Sequence, residues 1–179
     1  DMQTSIYMDC GFSYTGNAGG AESRGIEFES TADLGDDLML TLNASYTQTK
    51  LTENVDSLDA FKDDDMTMVP KYNAYLALDK GFMLANKQVF ARIDVEAYGK
   101  YSTHFNSLPT DKSPSYVNVN LSTRVEISDD VELSVHVGNL LNREIITYRN
   151  ANERDDPTEP LWVSYGQERN ISVRLDFEF

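Results

Sequence analysis

The sequence predicts an all-β protein, an antiparallel transmembrane β-barrel, on three observations. Apolar and polar residues alternate without a fault over residues 171–179. The same alternation recurs segment after segment, and the connections between segments are short and long by turns. Period-two alternation puts successive side chains on opposite faces of a strand. In a membrane barrel one face meets lipid and the other meets the watery interior.

The segments can be taken in order. The opening stretch through Ile6, Tyr7 and Met8 reads as a strand of weaker pattern. Ile26, Phe28 and Ala32 oppose Glu27 and Glu29. Leu38, Leu40, Leu42, Ala44 and Tyr46 oppose Thr41, Asn43, Ser45 and Thr47. Tyr72, Ala74, Leu76 and Leu78 oppose Lys71, Asn73 and Asp79, and Val89, Ala91, Ile93, Val95 and Ala97 oppose Arg92, Asp94, Glu96 and Lys100. Val117, Val119, Leu121, Val125 and Ile127 alternate with Asn118, Asn120, Ser122, Arg124 and Glu126. Val131, Leu133, Val135 and Val137 alternate with Glu132, Ser134, His136 and Gly138. In the closing segment Ile171, Val173, Leu175, Phe177 and Phe179 alternate with Ser172, Arg174, Asp176 and Glu178. No helical i, i+3, i+4 stripe of useful length competes.

Three connections are short and carry turn residues: Gly35-Asp36-Asp37, the stretch from Asp79-Lys80-Gly81 onward, and Ser128-Asp129-Asp130. Those between are long and polar, within 11–23 and over 50–66, 102–114 and 144–167. Outer-membrane barrels sort their connections this way, with short periplasmic turns and long extracellular loops. The last strand follows a long connection, so the C-terminus is expected on the periplasmic side.

Composition narrows the function. The net charge of −15 argues against nucleic acid as a partner, since phosphate backbones need Lys and Arg. Tyrosine leads the aromatic residues, as expected where rings sit at a membrane boundary. No run of about 18 apolar residues exists to make a membrane helix. Cys10 is the one cysteine and reads as a small apolar filler in a strand. The opening Asp1-Met2-Gln3-Thr4 has neither a basic nor an apolar export region, so the native start is expected upstream of a chain that is part of something longer.

Several segments now resemble the TonB-dependent outer-membrane receptors. The run Asn17-Ala18-Gly19-Gly20-Ala21-Glu22-Ser23-Arg24-Gly25-Ile26-Glu27-Phe28-Glu29 is similar to their N-x-G-x-A-x-S-x-G-hydrophobic-E-hydrophobic-E stretch. Val69-Pro70-Lys71-Tyr72-Asn73 resembles the P-K/R-(H/Y) start of a later strand. Pro114-Ser115-Tyr116-Val117-Asn118-Val119-Asn120-Leu121 is similar to the Y-x-x-(V/L)-(D/N)-L strand. Val137-Gly138-Asn139-Leu140-Leu141-Asn142-Arg143-Glu144 resembles the (V/I)-x-N-L-(F/L)-(D/N)-(K/R)-x-Y signature, with Ile145 where an aromatic is customary. Before the last strand, Gly166-Gln167-Glu168-Arg169-Asn170 keeps the Gly, Arg and Asn of the usual G-R/P-R-(T/N). The resemblance runs over nearly all of residues 1–179, and the order of the segments carries it more than any one motif.

The resemblance implies a barrel of roughly 22 strands filled by a plug, of which this chain would supply about eight C-terminal strands. The plug, the earlier strands and the segment that engages the TonB energy-coupling complex would lie outside it. Such a piece would leave two unpaired sheet edges, which lipid does not tolerate, so the remaining barrel is the first expected partner. The implied function is import of a scarce nutrient, usually a ferric siderophore, with no enzymatic chemistry and no cofactor. Residues Ile171, Val173, Leu175, Phe177 and Phe179 resemble the signal by which such barrels are recognised for assembly. Lipid and lipopolysaccharide complete the expected surroundings.

Candidate ligand contacts are Tyr101 and His104 in one long loop, and Tyr148, Arg149, Arg154, Trp162 and Tyr165 in the last. Guanidinium groups pair bidentately with carboxylate or catecholate oxygens, and rings stack on planar chelates. The commoner role for such residues is less specific, with Trp162 and Tyr165 as interfacial girdle rings and the arginines solvated. A lone loop histidine such as His104 is usually solvent-facing, with no second His or Cys at metal spacing. His136 reads as a hydrogen-bonded lumen residue. The acidic run Asp63-Asp64-Asp65 with Glu53, Asp56 and Asp59 lacks cation-loop spacing and reads as a solvated loop. Two alternatives stay open at this point: a self-contained eight-stranded outer-membrane barrel with a structural or adhesive role, and a lipocalin-like barrel with its apolar face inward.

Overall fold

The computed structural model describes residues 3–7, 12–17, 19–105, 112–150 and 162–178. These residues form β1 (Gln3–Tyr7), β2 (Ser13–Asn17), β3 (Ala21–Asp33), β4 (Leu38–Leu51), β5 (Tyr72–Leu84) and β6 (Lys87–Tyr98). Then follow β7 (Tyr116–Ser128), β8 (Val131–Gly138), β9 (Ile146–Asn150), β10 (Trp162–Tyr165) and β11 (Asn170–Phe177). One sheet holds seven of them in the order β3-β4-β5-β6-β7-β8-β11, every neighbouring pair antiparallel. The opening strand forms as β1 and pairs with β2 in a separate two-stranded ladder. The hairpin β9–β10 is inserted between β8 and β11.

Through the middle of the sheet the register puts like with like. One row runs Ala32, Leu40, Leu78, Ile93, Leu121, Val137, Ile171, a single apolar residue from each strand. The adjacent row runs Asp33, Met39, Asp79, Arg92, Ser122, His136, Ser172 and is polar but for the methionine. A slip of one residue in any strand would exchange its two faces, so this patterning fixes the register.

The polar face is the concave one. Arg92, Ser122, Arg124, Ser134, His136 and Arg174 line a trough of about 670 Å³ on that side. The apolar face is bare, with Leu76, Ile93, Val173 and Phe177 exposed and Ile171 at 68%. Soluble monomers rarely expose a contiguous apolar patch beyond a few hundred Å². A lipid phase is the environment in which this face is stable, and its outward direction is the reverse of a lipocalin. No ladder joins β3 to β11 among the described residues, so the sheet is an open arc, and the closed eight-stranded alternative is not what forms.

The connections sort to two ends. Residues 34–37, 85–86 and 129–130 make the short end, and 52–71, 99–115 and 139–169 the long one. Gly35, Asp36 and Asp37 all take positive φ, and the Asp33 carboxylate accepts the Gly35 N–H at 2.9 Å. The second short turn falls later than Asp79-Lys80-Gly81. Those turn-forming residues are inside β5, because the alternation continues through Phe82 and Leu84 and pairs with Val89 and Lys87. The turn itself is Ala85-Asn86 with φ of 49° and 61°, the mirror-image geometry that two-residue hairpins favour. At Gly25 only glycine fits: a Cβ there would sit 2.6 Å from the Tyr46 carbonyl oxygen of the neighbouring strand.

Candidate functional site

The long-loop end is built differently from the wall. Leu51, Val55 and Ala60 form a small buried cluster with Leu58, Met66 and Phe105 packed on it. Phe105 comes from the β6–β7 loop and the rest from β4 and the β4–β5 loop, so apolar burial joins two connections. Met68 N–H donates to the Ser102 carbonyl at 2.7 Å and joins them again. Asp65 is gripped by Lys71 at 2.7 Å and Lys50 at 3.4 Å. Partial burial pushes its pKa up, but the hydrogen bond and charge of Lys71, with those of Lys50, outweigh that and hold it below 3.8. Lys50 also donates to the Asp63 carbonyl, and the Asp64 carboxylate accepts the Phe61 N–H at 2.7 Å. The acidic run is therefore occupied in holding its own loop.

The last loop leans on the same assembly. Tyr101 and Ser113 bridge the base of the β6–β7 loop by two backbone hydrogen bonds of 3.2 and 2.9 Å. From there the Tyr101 hydroxyl donates to the Thr147 carbonyl, and the Thr103 hydroxyl to the Arg149 carbonyl. The His104 ring meets Tyr148 edge-on at 6.5 Å between centroids. Four of the sequence candidates, Tyr101, His104, Tyr148 and Arg149, are thus brought together by two loops far apart in the chain. Trp162 is 75% exposed opposite Asn150, and Tyr165 is exposed opposite Ile146, both on the outer strand of the hairpin. Arg154 and Phe179 lie outside the described residues, as does Cys10. Ile171, Val173, Leu175 and Phe177 all lie on the exposed apolar face of β11.

Below the loops the lumen face is a connected polar surface. Arg92 donates to the Tyr75 hydroxyl at 2.7 Å and to Asp79 at 3.2 Å. Asn120 donates to the buried Asp94 carboxylate at 2.8 Å and accepts from Asn118 at 3.2 Å. His136 Nδ1 stands 2.8 Å from the Ser122 hydroxyl, the hydrogen-bonded lumen position expected of it. The Arg124 guanidinium lies 4.5 Å over the Phe90 ring. Sequence reasoning missed this lattice, the role of Thr103 and the β9–β10 hairpin. The runs Ile146-Thr147-Tyr148 and Trp162-Val163-Ser164-Tyr165 are rich in β-branched and aromatic residues, and that signal could have found the hairpin.

A polar concave face, an apolar outer face and long loops gathered at one end define the wall of a transmembrane β-barrel. The model of the TonB dependent receptor-like β-barrel family matches residues 1–140, and the chain belongs to that family. Its fold is similar to the ferric yersiniabactin uptake receptor of Yersinia pestis, with a TM-score of 0.78 at 18% identity over 93% of this chain and 25% of that one. It is also similar to a siderophore receptor of Acinetobacter baumannii (TM-score 0.70, 19% identity, 98% of this chain and 24% of that one). The ferripyoverdine receptor of the Pseudomonas aeruginosa outer membrane gives 0.66 at 20% identity over 89% and 20% of the two chains. The chain thus spans about a quarter or less of the solved structures it matches. Among curated proteins, none matches the sequence.

Proposed function

We propose that this chain supplies wall and ligand vestibule to a TonB-dependent outer-membrane transporter that takes in a ferric siderophore. One observation carries the reading: Tyr101, His104, Tyr148 and Arg149 converge at the long-loop end of a barrel wall. Family membership supplies the transporter, and three solved structures of similar fold are receptors for siderophores or their ferric complexes. The long-loop end then faces the outside of the cell and the short turns and C-terminus face the periplasm. Aromatic rings and a guanidinium suit an anionic chelate with planar arms, which they stack on and pair with. Trp162, Tyr165 and Arg154 are the further contacts from the same loop. The trough below receives the plug of the same receptor, and the TonB complex drives release through a part of the protein outside this chain. Ile171, Val173, Leu175, Phe177 and Phe179 serve as the assembly signal, and no step is enzymatic.

The test is direct binding to the complete receptor, purified from outer membrane. It would be titrated with ferric catecholate, hydroxamate and phenolate chelates, and with haem and cobalamin as controls. A ferric chelate should bind, and Arg149→Ala should weaken it about tenfold, the factor of one truncated contact residue. Binding of haem or cobalamin alone would overturn the siderophore assignment. Unchanged affinity in Arg149→Ala would move the ligand away from this loop.

A further inference from the structure

Asn139 stands where the chain leaves the wall. It is 4% exposed, follows the last residue of β8, and takes φ of 48°, a conformation asparagine tolerates better than most residues. Both polar atoms of its side chain are engaged. Nδ2 donates to the Arg143 carbonyl at 2.8 Å and to the Gln167 carbonyl at 3.0 Å, while Oδ1 accepts the Arg143 N–H at 3.0 Å. Arg143 precedes β9 and Gln167 follows β10, so one amide holds both ends of the inserted hairpin.

The clasp is itself anchored. Asn139 N–H donates to Asn120 Oδ1 at 3.1 Å, and Asn120 Nδ2 in turn donates to the buried Asp94 on β6. Leu140 N–H donates to the Val119 carbonyl at 2.7 Å. Asn142, also at positive φ, donates its N–H to the Asn139 carbonyl at 2.8 Å and accepts the Arg169 N–H on its side chain at 3.1 Å. The neck closes where Gly166 N–H meets the carbonyl of buried Ile145 at 2.8 Å. Among the described residues these bonds hold the base of the hairpin, while Tyr101 and Thr103 hold its β9 strand further out.

We propose that Asn139 is a positioning residue: it pins both ends of the β9–β10 hairpin to the barrel wall, through Asn120 and Asp94, and so fixes where Tyr148 and Arg149 stand over the lumen. The pinning is independent of any ligand, and only its use in ligand capture rests on the function proposed above. A residue that merely closed the wall would act on the β8–β11 ladder, which begins at Gly138 and Asn170 directly below it.

The test is amide hydrogen exchange on the complete receptor in detergent, wild type against Asn139→Gly. Glycine keeps the positive φ and removes only the side chain. Exchange over residues 143–150 and 162–167 should rise about tenfold or more, the factor expected when three side-chain hydrogen bonds are lost together. Exchange in β7, β8 and β11 should stay at its wild-type rate. Unchanged exchange in the hairpin would overturn the proposal, and so would an equal rise in β8 and β11. Should Asn139→Gly fail to assemble, Asn139→Asp is read by the same two criteria, since aspartate also tolerates the positive φ, keeps the acceptor for the Arg143 N–H and removes only the two donations to the Arg143 and Gln167 carbonyls. No ligand enters these readouts, so failure of chelate binding and failure of the clasp are separate results.

Discussion

The wall and the crown of loops are held by different forces. In the wall, backbone ladders carry the structure and side chains only choose a face: apolar outward, polar inward, row after row from β3 to β11. In the crown the order is reversed. Among the described residues few backbone ladders cross between its loops, and side chains do much of the joining: Tyr101 to Thr147, Thr103 to Arg149, Lys71 and Lys50 to Asp65, Asn139 to Arg143 and Gln167. The wall is therefore sensitive to the character of a side chain and tolerant of its identity, whereas the crown depends on particular atoms.

The largest expected effect breaks the wall by putting a charge on the wrong face. Ile93 sits mid-row between Leu78 and Leu121 on the exposed apolar face. Ile93→Arg should cost about 2–4 kcal/mol of folding stability, the penalty for a basic residue near the bilayer midplane. Asn43→Arg is the control, on the lumen face of β4 opposite Glu29, and should change stability by less than about 1 kcal/mol. Denaturant-induced unfolding of the complete receptor in lipid vesicles would measure both. Equal losses would mean that the two faces do not have the environments assigned to them.

This contrast also explains how much of the molecule was legible in the sequence. Alternation is a local property, so Leu38 to Tyr46 or Val117 to Ile127 announce both strand and face without knowledge of the partner strand. Turn propensity was the weaker guide: Asp79 and Gly81 look like a turn, yet pairing across Phe82 and Val89 carries the strand past them to Ala85-Asn86. In the crown, the contact of Tyr101 with Thr147 spans 46 residues and leaves no periodic trace. The residue types at Tyr101, His104, Tyr148 and Arg149 were readable, but their convergence was not. Asn139 was visible only as part of a family signature, because its role depends on two carbonyls, at Arg143 and Gln167, that the chain brings back from opposite ends of a loop.

A middle-sized effect sharpens the same distinction inside the crown. Tyr101→Phe keeps the ring and removes only the hydroxyl that donates to the Thr147 carbonyl. It should loosen the last loop by about 0.5–1.5 kcal/mol, the net value of one hydrogen bond, without touching the wall. Limited proteolysis of the complete receptor would show it, with faster cleavage near residues 144–150 and an unchanged unfolding midpoint for the barrel. A shifted midpoint would mean that wall and crown unfold as one unit and that the division drawn between them is false.

The smallest effect concerns pH and sets the crown against the wall most directly. Asp65 is the carboxylate that Lys71 and Lys50 share, and its pKa in the folded loop lies below the ordinary 3.8. A carboxylate depressed by folding contributes stability that is complete above its unfolded pKa and is lost as pH falls through the folded value. The β4–β5 loop should therefore hold at pH 5 and above and loosen below about pH 4, near the reference value for Asp. Both partners are substantially exposed, so solvent screening keeps the effect to at most about 1 kcal/mol, and salt should reduce it further. Proteolysis of residues 52–71 with an acid-active protease, compared at pH 5 and pH 3, would detect the change. Asp65→Asn should remove this pair's part of the pH dependence and leave that loop equally loose at both values. An Asp65→Asn loop that loosens with acid as much as the wild type would assign the response to other carboxylates, and the lysine pair would then contribute nothing measurable to the crown.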